Sequence, residues 1–337
     1  MTTPAQICIF GAGSIGCYIG GRLAAAGASV NFVGRERVRD IIAENGLRLS
    51  DFRGADFRLT PDKLRYSLDA APARGADLVL VTVKSAATAN AGAMLADILK
   101  PNAIVVSLQN GVGNDDVLRA ALHGRVVLGG MVAFNVIERG EGSFHQGTDG
   151  EIGAQNHPAL QRFLPFFDHA GIPLRLYQDI RPIQWGKLLL NLNNAVNALS
   201  GLPLRDQLMQ QDFRRCLALA HDEALAALSA ARIAPTRMTP LPPRFIPSLL
   251  RTPDFLFRIV ARRMLAIDPL ARSSMADDLA ARRKTEVDWL NGEIVRLAAR
   301  QGMRAPVNER LVELIRKAEE GGRSNWTGPE LLAAMRR

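Results

Sequence analysis

Near the start of the chain, the run Gln6-Ile7-Cys8-Ile9-Phe10 passes directly into Gly11-Ala12-Gly13-Ser14-Ile15-Gly16. The residues before the turn are apolar enough for a strand buried on both faces. A helical stretch follows through about Ala26, Gly27 ends it, and Ser29 to Val33 reads as a second strand. A strand, glycine turn, helix and strand within about 30 residues make a unit that receives a dinucleotide. Gly11 is expected to permit the tight turn, Gly13 to let the backbone approach a pyrophosphate, and Gly16 to let helix and strand pack closely. The pyrophosphate would sit on the backbone of Gly11, Ala12, Gly13, Ser14, Ile15 and Gly16, at the positive end of the helix.

The end of the second strand bears on which dinucleotide is bound. NAD sites usually place an acid there for the ribose 2′-hydroxyl, whereas this chain runs into Gly34-Arg35. Arg35 offers a planar fork of donors for a 2′-phosphate, and Arg37 and Arg39 add positive field. The competing reading makes these arginines loop surface and Glu36 the ribose acid; the pattern favours NADP. Further along, Ala76 to Val83 and Ala103 to Leu108 read as buried strands. They deliver Lys84 and Gln109-Asn110-Gly111-Val112-Gly113 to the carboxyl ends, where doubly wound sheets bind ligands. Lys84 is expected to reach the cofactor's phosphate or ribose and Asn110 the region of its nicotinamide, although either residue alone also suits a solvated loop. Val126 to Gly153 suggests further antiparallel strands closing the sheet.

At 337 residues the chain exceeds what one core usually reaches, so two domains are expected. The texture changes after Asp179-Ile180-Arg181-Pro182, from strand-like runs to long Ala/Leu-rich helical patterns. This predicts an α/β dinucleotide-binding domain of the Rossmann type over 1–180 and an all-α domain over 181–337. The 42 Lys and Arg against 33 Asp and Glu leave a net charge of +9, but the basic residues are spread along the chain. That argues for a solvated basic surface, which attracts anionic ligands, and against a nucleic-acid partner. Three cysteines and five histidines have no metal-ligand spacing, so no metal or disulfide scaffold is expected. A reducing cytoplasm fits that cysteine usage. No run of about 18 apolar residues predicts a membrane span. From about Gly321 onward the chain is expected to lose order.

In the second half, Gln184 to Ser200 is the most informative segment. Lys187, Asn191 and Asn194 lie at i, i+4 and i+7, one narrow stripe of a helix. The stripe is either the wet face of an amphipathic helix or a ligand-lining one; a wet face normally carries more charge. Ser273 or Ser274 reads as a helix N-cap with Asp277 as its capping-box partner, and Glu286 alone as a surface helix carboxylate. The Pro-rich insert from Pro235 to Pro253 reads as a loop, and the basic amphipathic patch from Phe255 to Ile267 as a packed helix.

Taken together, these pieces resemble the ketopantoate reductase (2-dehydropantoate 2-reductase) family over about residues 6 to 320. The markers occur in order: the glycine turn, the strand-end Lys84, Asn110-Gly111-Val112-Gly113, Trp185-Gly186-Lys187-Leu188 with Asn191, and Ser273-Ser274-Met275 followed by Thr285-Glu286-Val287-Asp288 with Asn291-Gly292. The resemblance implies a second domain like the C-terminal domain of 6-phosphogluconate dehydrogenase, and reduction of a small 2-oxo acid by NADPH, with a homodimer possible. It makes Lys187 the proton donor to the carbonyl oxygen and Asn191 and Ser274 holders of the substrate's carboxylate or hydroxyl groups. Asn194 joins them as a substrate-side residue of the same stripe. Glu286 would anchor the substrate hydroxyl near the cofactor, and Asn110 would contact both. Two positions depart from the family pattern, with Ala271 and Ala195 where Asn is usual. Three functions therefore stand: ketopantoate reduction for pantothenate and coenzyme A synthesis, a paralogue acting on another 2-oxo acid, or a non-catalytic NADPH-sensing module. Lys187 and Glu286 speak against the last.

Overall fold

The computed structural model describes residues 5–260 and 271–336. The chain divides into two compact units, Met1–Arg181 and Pro182–Arg337.

The first unit is built on β1 (Gln6–Phe10), β2 (Ser29–Val33), β3 (Leu47–Asp51), β4 (Asp56–Leu59), β5 (Arg65–Ser67), β6 (Leu78–Val81), β7 (Ile104–Ser107), β8 (Val126–Val132), β9 (Val136–Glu138), β10 (Ser143–Gln146), β11 (Ile152–Gln155) and β12 (Leu174–Tyr177). Eight of these form one sheet in the order β12-β11-β8-β7-β6-β1-β2-β5. From β5 to β8 every neighbouring pair is parallel. The chain winds outward from β1 through β2 to β5, then returns and winds the other way from β6 through β7 to β8. The order therefore reverses between β1 and β6, the position where open α/β sheets take their ligands.

Side chains alternate across this sheet as the period of two requires. Ile7 and Ile9 of β1, with Leu78 and Leu80 of β6, join the core on one face. Cys8, Phe10, Val79 and Val81 join the core on the other. Both faces are buried, which is why these strands read as continuous apolar runs rather than alternating ones. The cysteines are buried and unbridged, and burial pushes the thiols of Cys8 and Cys216 up to about 12.

The expected antiparallel closure over Val126 to Gly153 is realised only in part. β8 continues the parallel series beside β7, and β11 is the strand that runs antiparallel to it. β9 and β10 leave the main sheet for a separate four-stranded one, ordered β4-β3-β10-β9. Nothing local in the sequence marks that sheet, because β10 pairs with β3 across more than ninety intervening residues.

The second unit is helical: α1 (Arg181–Asn191) begins at the boundary, followed by α2 (Asn193–Ser200), α3 (Leu204–Leu208), α4 (Gln211–Ala230), α5 (Ile246–Leu250), α6 (Asp254–Val260), α7 (Ser274–Ala280), α8 (Asn291–Arg300), α9 (Pro306–Glu319) and α10 (Gly328–Ala334). α4 is its axis and packs against α2, α5, α8, α9 and α10. Ala220, Ala224 and Ala227 recur at helical spacing on its buried side, where small side chains let neighbouring helices approach.

Three expectations change here. The tail beyond Gly321 is ordered: Thr327 and Glu330 form the capping box of α10, and Leu331 and Leu332 are buried. The Pro-rich insert is a loop only in its first part; it then forms a 3-10 turn (Pro243–Phe245) and α5. Thr236 donates its N–H to the Pro182 carbonyl at 2.8 Å, and the Thr236 carbonyl lies where a Cβ on Gly186 would be, so only glycine fits there. The insert's far end is held by Arg214, fully buried, whose guanidinium donates to the carbonyls of Leu208, Leu250 and Thr252 and pairs with Asp254 at 2.9 Å. The patch expected to pack as a helix is mostly uncovered over α6. Phe257 lies under Arg214, but Phe255 and Ile259 are 70% and 72% exposed, and 261–267 lie outside the described residues.

Candidate active site

The first unit supplies a backbone cradle. The N–H groups of Gly11 and Ala12 both donate to the Val33 carbonyl at 2.9 Å, closing the turn after β1 onto the end of β2. Gly11 sits at φ +111, and a Cβ on it would strike the backbone of Val83 at 2.4 Å. A Cβ on Gly16 would lie 2.6 Å from the Gly11 carbonyl. A Cβ on Gly13 would meet nothing within 4 Å, so packing does not demand glycine there, while approach of a ligand does. The helix Ser14–Ala25 has no side-chain cap and no acid in its first turn, which leaves its positive end available to an anion. A pyrophosphate fits this cradle.

Past β2, the three arginines separate. Arg37 is held by both oxygens of Glu138, at 2.6 and 2.9 Å. Arg39 is held by Glu36 and Asp40. Arg35 is exposed and its guanidinium makes no ion pair among the described residues, while Tyr66 donates its hydroxyl to the Arg35 carbonyl at 3.1 Å. Glu36, the alternative ribose acid, is exposed and occupied by Arg39.

Lys84 and Asn110 sit half-buried just beyond the carboxyl ends of β6 and β7. A buried polar network that local sequence patterns do not disclose ties their two loops together. The Ser85 hydroxyl donates to the Asn110 carbonyl at 2.9 Å, and Asn114 Nδ2 donates to the same oxygen at 2.7 Å. Thr88 donates to Asn114 Oδ1 and accepts from Gln109 Nε2. Gly113, at φ +87, makes the turn into the helix Asn114–Ala121. The Asn110 backbone is therefore fixed by this network.

In the second unit, the stripe breaks once. α1 ends at Asn191, Leu192 forms a turn, and α2 starts at Asn193. The Leu189 carbonyl near this break accepts a bond from the ring of buried His221 on α4. Lys187, Asn191 and Asn194 are all half-buried. Among the described residues, no side-chain hydrogen bond is made by Asn191 or Asn194, which leaves both amides with donors and acceptors to spend on a ligand. Asn197, three residues on, behaves oppositely. It is fully buried, accepts the Ser273 N–H at 2.9 Å and donates to the Leu202 carbonyl at 2.9 Å. It is the structural tie between α2 and the serine pair, and the expectation that singled out Asn194 passed over it.

Ser273 is the N-cap of α7, accepting the Ala276 N–H at 3.2 Å. With the cap at Ser273 the third helical residue is Ala276, so Asp277 cannot complete a capping box. Ser274, the residue expected at the substrate, is the first residue of α7 and is exposed. Of the two family departures, Ala195 is fully buried in the core, and Ala271 is half-buried with its carbonyl accepting the Leu204 N–H at 2.8 Å.

Glu286 is not on a helix surface. It is half-buried, precedes a single 3-10 turn (Val287–Trp289), and its carbonyl accepts the N–H groups of Trp289 and Leu290. Its carboxylate acts on Lys187. Burial pushes the Lys187 ammonium down to about 8, and the negative charge of Glu286 opposes that fall. A lysine so poised is still largely protonated at neutral pH yet gives up its proton far more readily than a solvated one. Among the described residues, no group of three or more His, Cys, Asp or Glu gathers to hold a metal, and no helix is long and apolar enough to cross a membrane.

Residues 7–159 match the family model of ketopantoate reductase PanE/ApbA, and residues 179–319 match that of its C-terminal domain. A 2-dehydropantoate 2-reductase of Archaeoglobus fulgidus is 27% identical over 326 residues, covering 94% of this chain and 98% of that protein. A solved PanE/ApbA family ketopantoate reductase of Ralstonia eutropha JMP134 is 30% identical, with a TM-score of 0.79 and 94% and 99% of the two chains covered. D-mandelate dehydrogenase, solved with NADH and anilino(oxo)acetate, shares the fold at a TM-score of 0.77 and 19% identity over 94% of this chain and 99% of that one. The chain belongs to the ketopantoate reductase family.

Proposed function

We propose that the protein reduces 2-dehydropantoate to pantoate with NADPH, serving pantothenate and coenzyme A synthesis, and that Lys187 is the proton donor. The observation that carries this reading is the Lys187 ammonium, on the helix that also presents Asn191, pushed down to about 8 by burial while the charge of Glu286 opposes the fall. NADPH, when bound, supplies the hydride that attacks the substrate carbonyl carbon. As the C=O π bond opens, the pair moves onto oxygen, and an ammonium beside it both stabilises that charge and passes it a proton. The products are the 2-hydroxy acid and the oxidised cofactor, with neutral Lys187 reprotonated from solvent.

The other residues hold and orient. The Gly11–Gly16 backbone receives the pyrophosphate, Arg35 the 2′-phosphate and Lys84 the phosphate or ribose. Asn191, Asn194 and Ser274 bind the substrate's carboxylate or hydroxyl, Glu286 its hydroxyl, and Asn110 both partners. Domain 1–180 is thus the cofactor domain and 181–337 the substrate and catalytic domain. Arg35 is favoured for the 2′-phosphate because Arg37 and Arg39 are already committed to carboxylates.

A second reading, a paralogue acting on another 2-oxo acid, is favoured by Ala271, half-buried where the family usually has Asn; Ala195, the other such position, lies buried in the core. NADPH oxidation with ketopantoate, pyruvate and 2-oxoisovalerate separates the two. Selective turnover of ketopantoate supports the first reading, and preference for another acid supports the second. NADPH binding with no turnover of any 2-oxo acid would contradict both.

A further inference from the structure

Glu319 is the last residue of α9, where the helix dipole disfavours a negative charge, and its side chain is only 7% exposed. An acid so placed is costly unless it is fully engaged. Glu319 is engaged: Oε1 accepts the Thr285 N–H at 2.8 Å and the Thr285 hydroxyl at 2.7 Å, and Oε2 pairs with Lys284 at 2.9 Å. These donors hold its carboxyl below the usual range despite the burial that opposes them, so it is charged at neutral pH. Among the described residues, its side-chain bonds fall on the two residues preceding Glu286. One turn earlier on the same helix, Arg316 pairs with Asp288 at 2.6 Å, two residues beyond Glu286. Thr285 Oγ1 also accepts the Val287 N–H at 3.3 Å, so the clamp reaches both sides of Glu286.

We propose that Glu319 is a positioning residue for the reaction: by clamping Lys284 and Thr285 to the end of α9, it fixes Glu286 where its carboxylate faces Lys187. The inference rests on the reading of Lys187 and Glu286 given above. Glu319 touches neither substrate nor cofactor in this account, and its effect passes through the Thr285 backbone.

The test is the pH profile of kcat/KM in Glu319→Ala, with Thr285→Val as a near-isosteric second variant should the first fail to fold, and Glu286→Gln as the benchmark. Removing the Glu286 charge lets the Lys187 pKa fall, so the alkaline limb moves to lower pH, by on the order of half a unit or more. Glu319→Ala and Thr285→Val are expected to move the limb the same way. Glu319→Gln, whose amide oxygen still accepts both Thr285 donors, is expected to retain the wild-type limb; a shift there as large as in Glu319→Ala would contradict the hydrogen-bonded clamp. If Glu286→Gln moves the limb while Glu319→Ala and Thr285→Val only lower activity equally at every pH, Glu319 is merely structural and the proposal is overturned. If Glu286→Gln itself leaves the limb in place, the Lys187–Glu286 reading fails and this inference falls with it.

Discussion

The two units build their functional surfaces from different materials. In the first, the cradle at Gly11, Gly13 and Gly16 is backbone: it works because side chains are absent and because a helix begins there uncapped. In the second, the candidate residues are side chains that the fold brings together from distant positions, Lys187 on α1 and Glu286 before the 3-10 turn, and the proposed chemistry rests on them. A site of the first kind is tolerant of sequence everywhere but at its glycines. A site of the second kind depends on whatever holds each loop and helix in register.

The sharpest break of that contrast is Lys187→Ala. It is expected to lower kcat by about 10²-fold or more while leaving the affinity for NADPH unchanged, as steady-state kinetics beside a binding titration would show. A loss confined to KM would make Lys187 a binding residue and move the chemistry elsewhere.

The same contrast governs what the sequence discloses. The glycine turn could be read directly because its spacing sits between an apolar strand and a helix, with Gly11 and Gly16 required by close packing; the strand-end positions of Lys84 and Asn110 could be read because they follow apolar runs that become β6 and β7. The second sheet escaped notice because β3 and β10 pair across the chain, and neither strand alone is distinctive. Glu286 looked like a surface helix residue since nothing nearby reveals that Lys187 faces it. Asn194 and Asn197 show the limit most plainly. They share one helix and one residue type, yet among the described residues one amide makes no hydrogen bond and the other is buried and doubly bonded; the location of Ser273 and Leu202 tells them apart.

A second prediction concerns acid stability, again in the helical unit. His221 is buried neutral, its pKa pushed down from 6.5 to about 4 by desolvation. The unfolded chain takes up the proton first, so the stabilising contribution is complete above about pH 6.5 and is lost as pH falls through about 4. That window is worth roughly 3 kcal/mol at most. Denaturant melts across it should show the slope in the wild type and a flatter line in His221→Leu; equal slopes would assign the acid sensitivity to other groups.

For the backbone-built unit, Gly16→Ala places a Cβ against the Gly11 carbonyl and Thr82 Oγ1. The expected cost is about 1–3 kcal/mol in stability together with weaker NADPH binding, read by melting and by fluorescence titration. Unchanged cofactor affinity would show that the turn is not where the pyrophosphate rests. The smallest effect is expected at Arg35→Ala, about tenfold in the NADPH/NADH preference, or roughly 1.4 kcal/mol. An unaltered preference would return the discrimination to Arg37 or Glu36.

The central claim is that Lys187 delivers the proton during reduction of a 2-oxo acid. The most direct measurement is kcat and kcat/KM for NADPH-driven reduction of ketopantoate as a function of pH, in the wild type and in Lys187→Ala. The account predicts a wild-type kcat/KM that falls as pH rises through about 8, where the ammonium of the free enzyme is lost, and a variant whose kcat is far lower and whose kcat/KM has no such limb. A Lys187→Ala enzyme that keeps the wild-type rate and the same alkaline fall would contradict it.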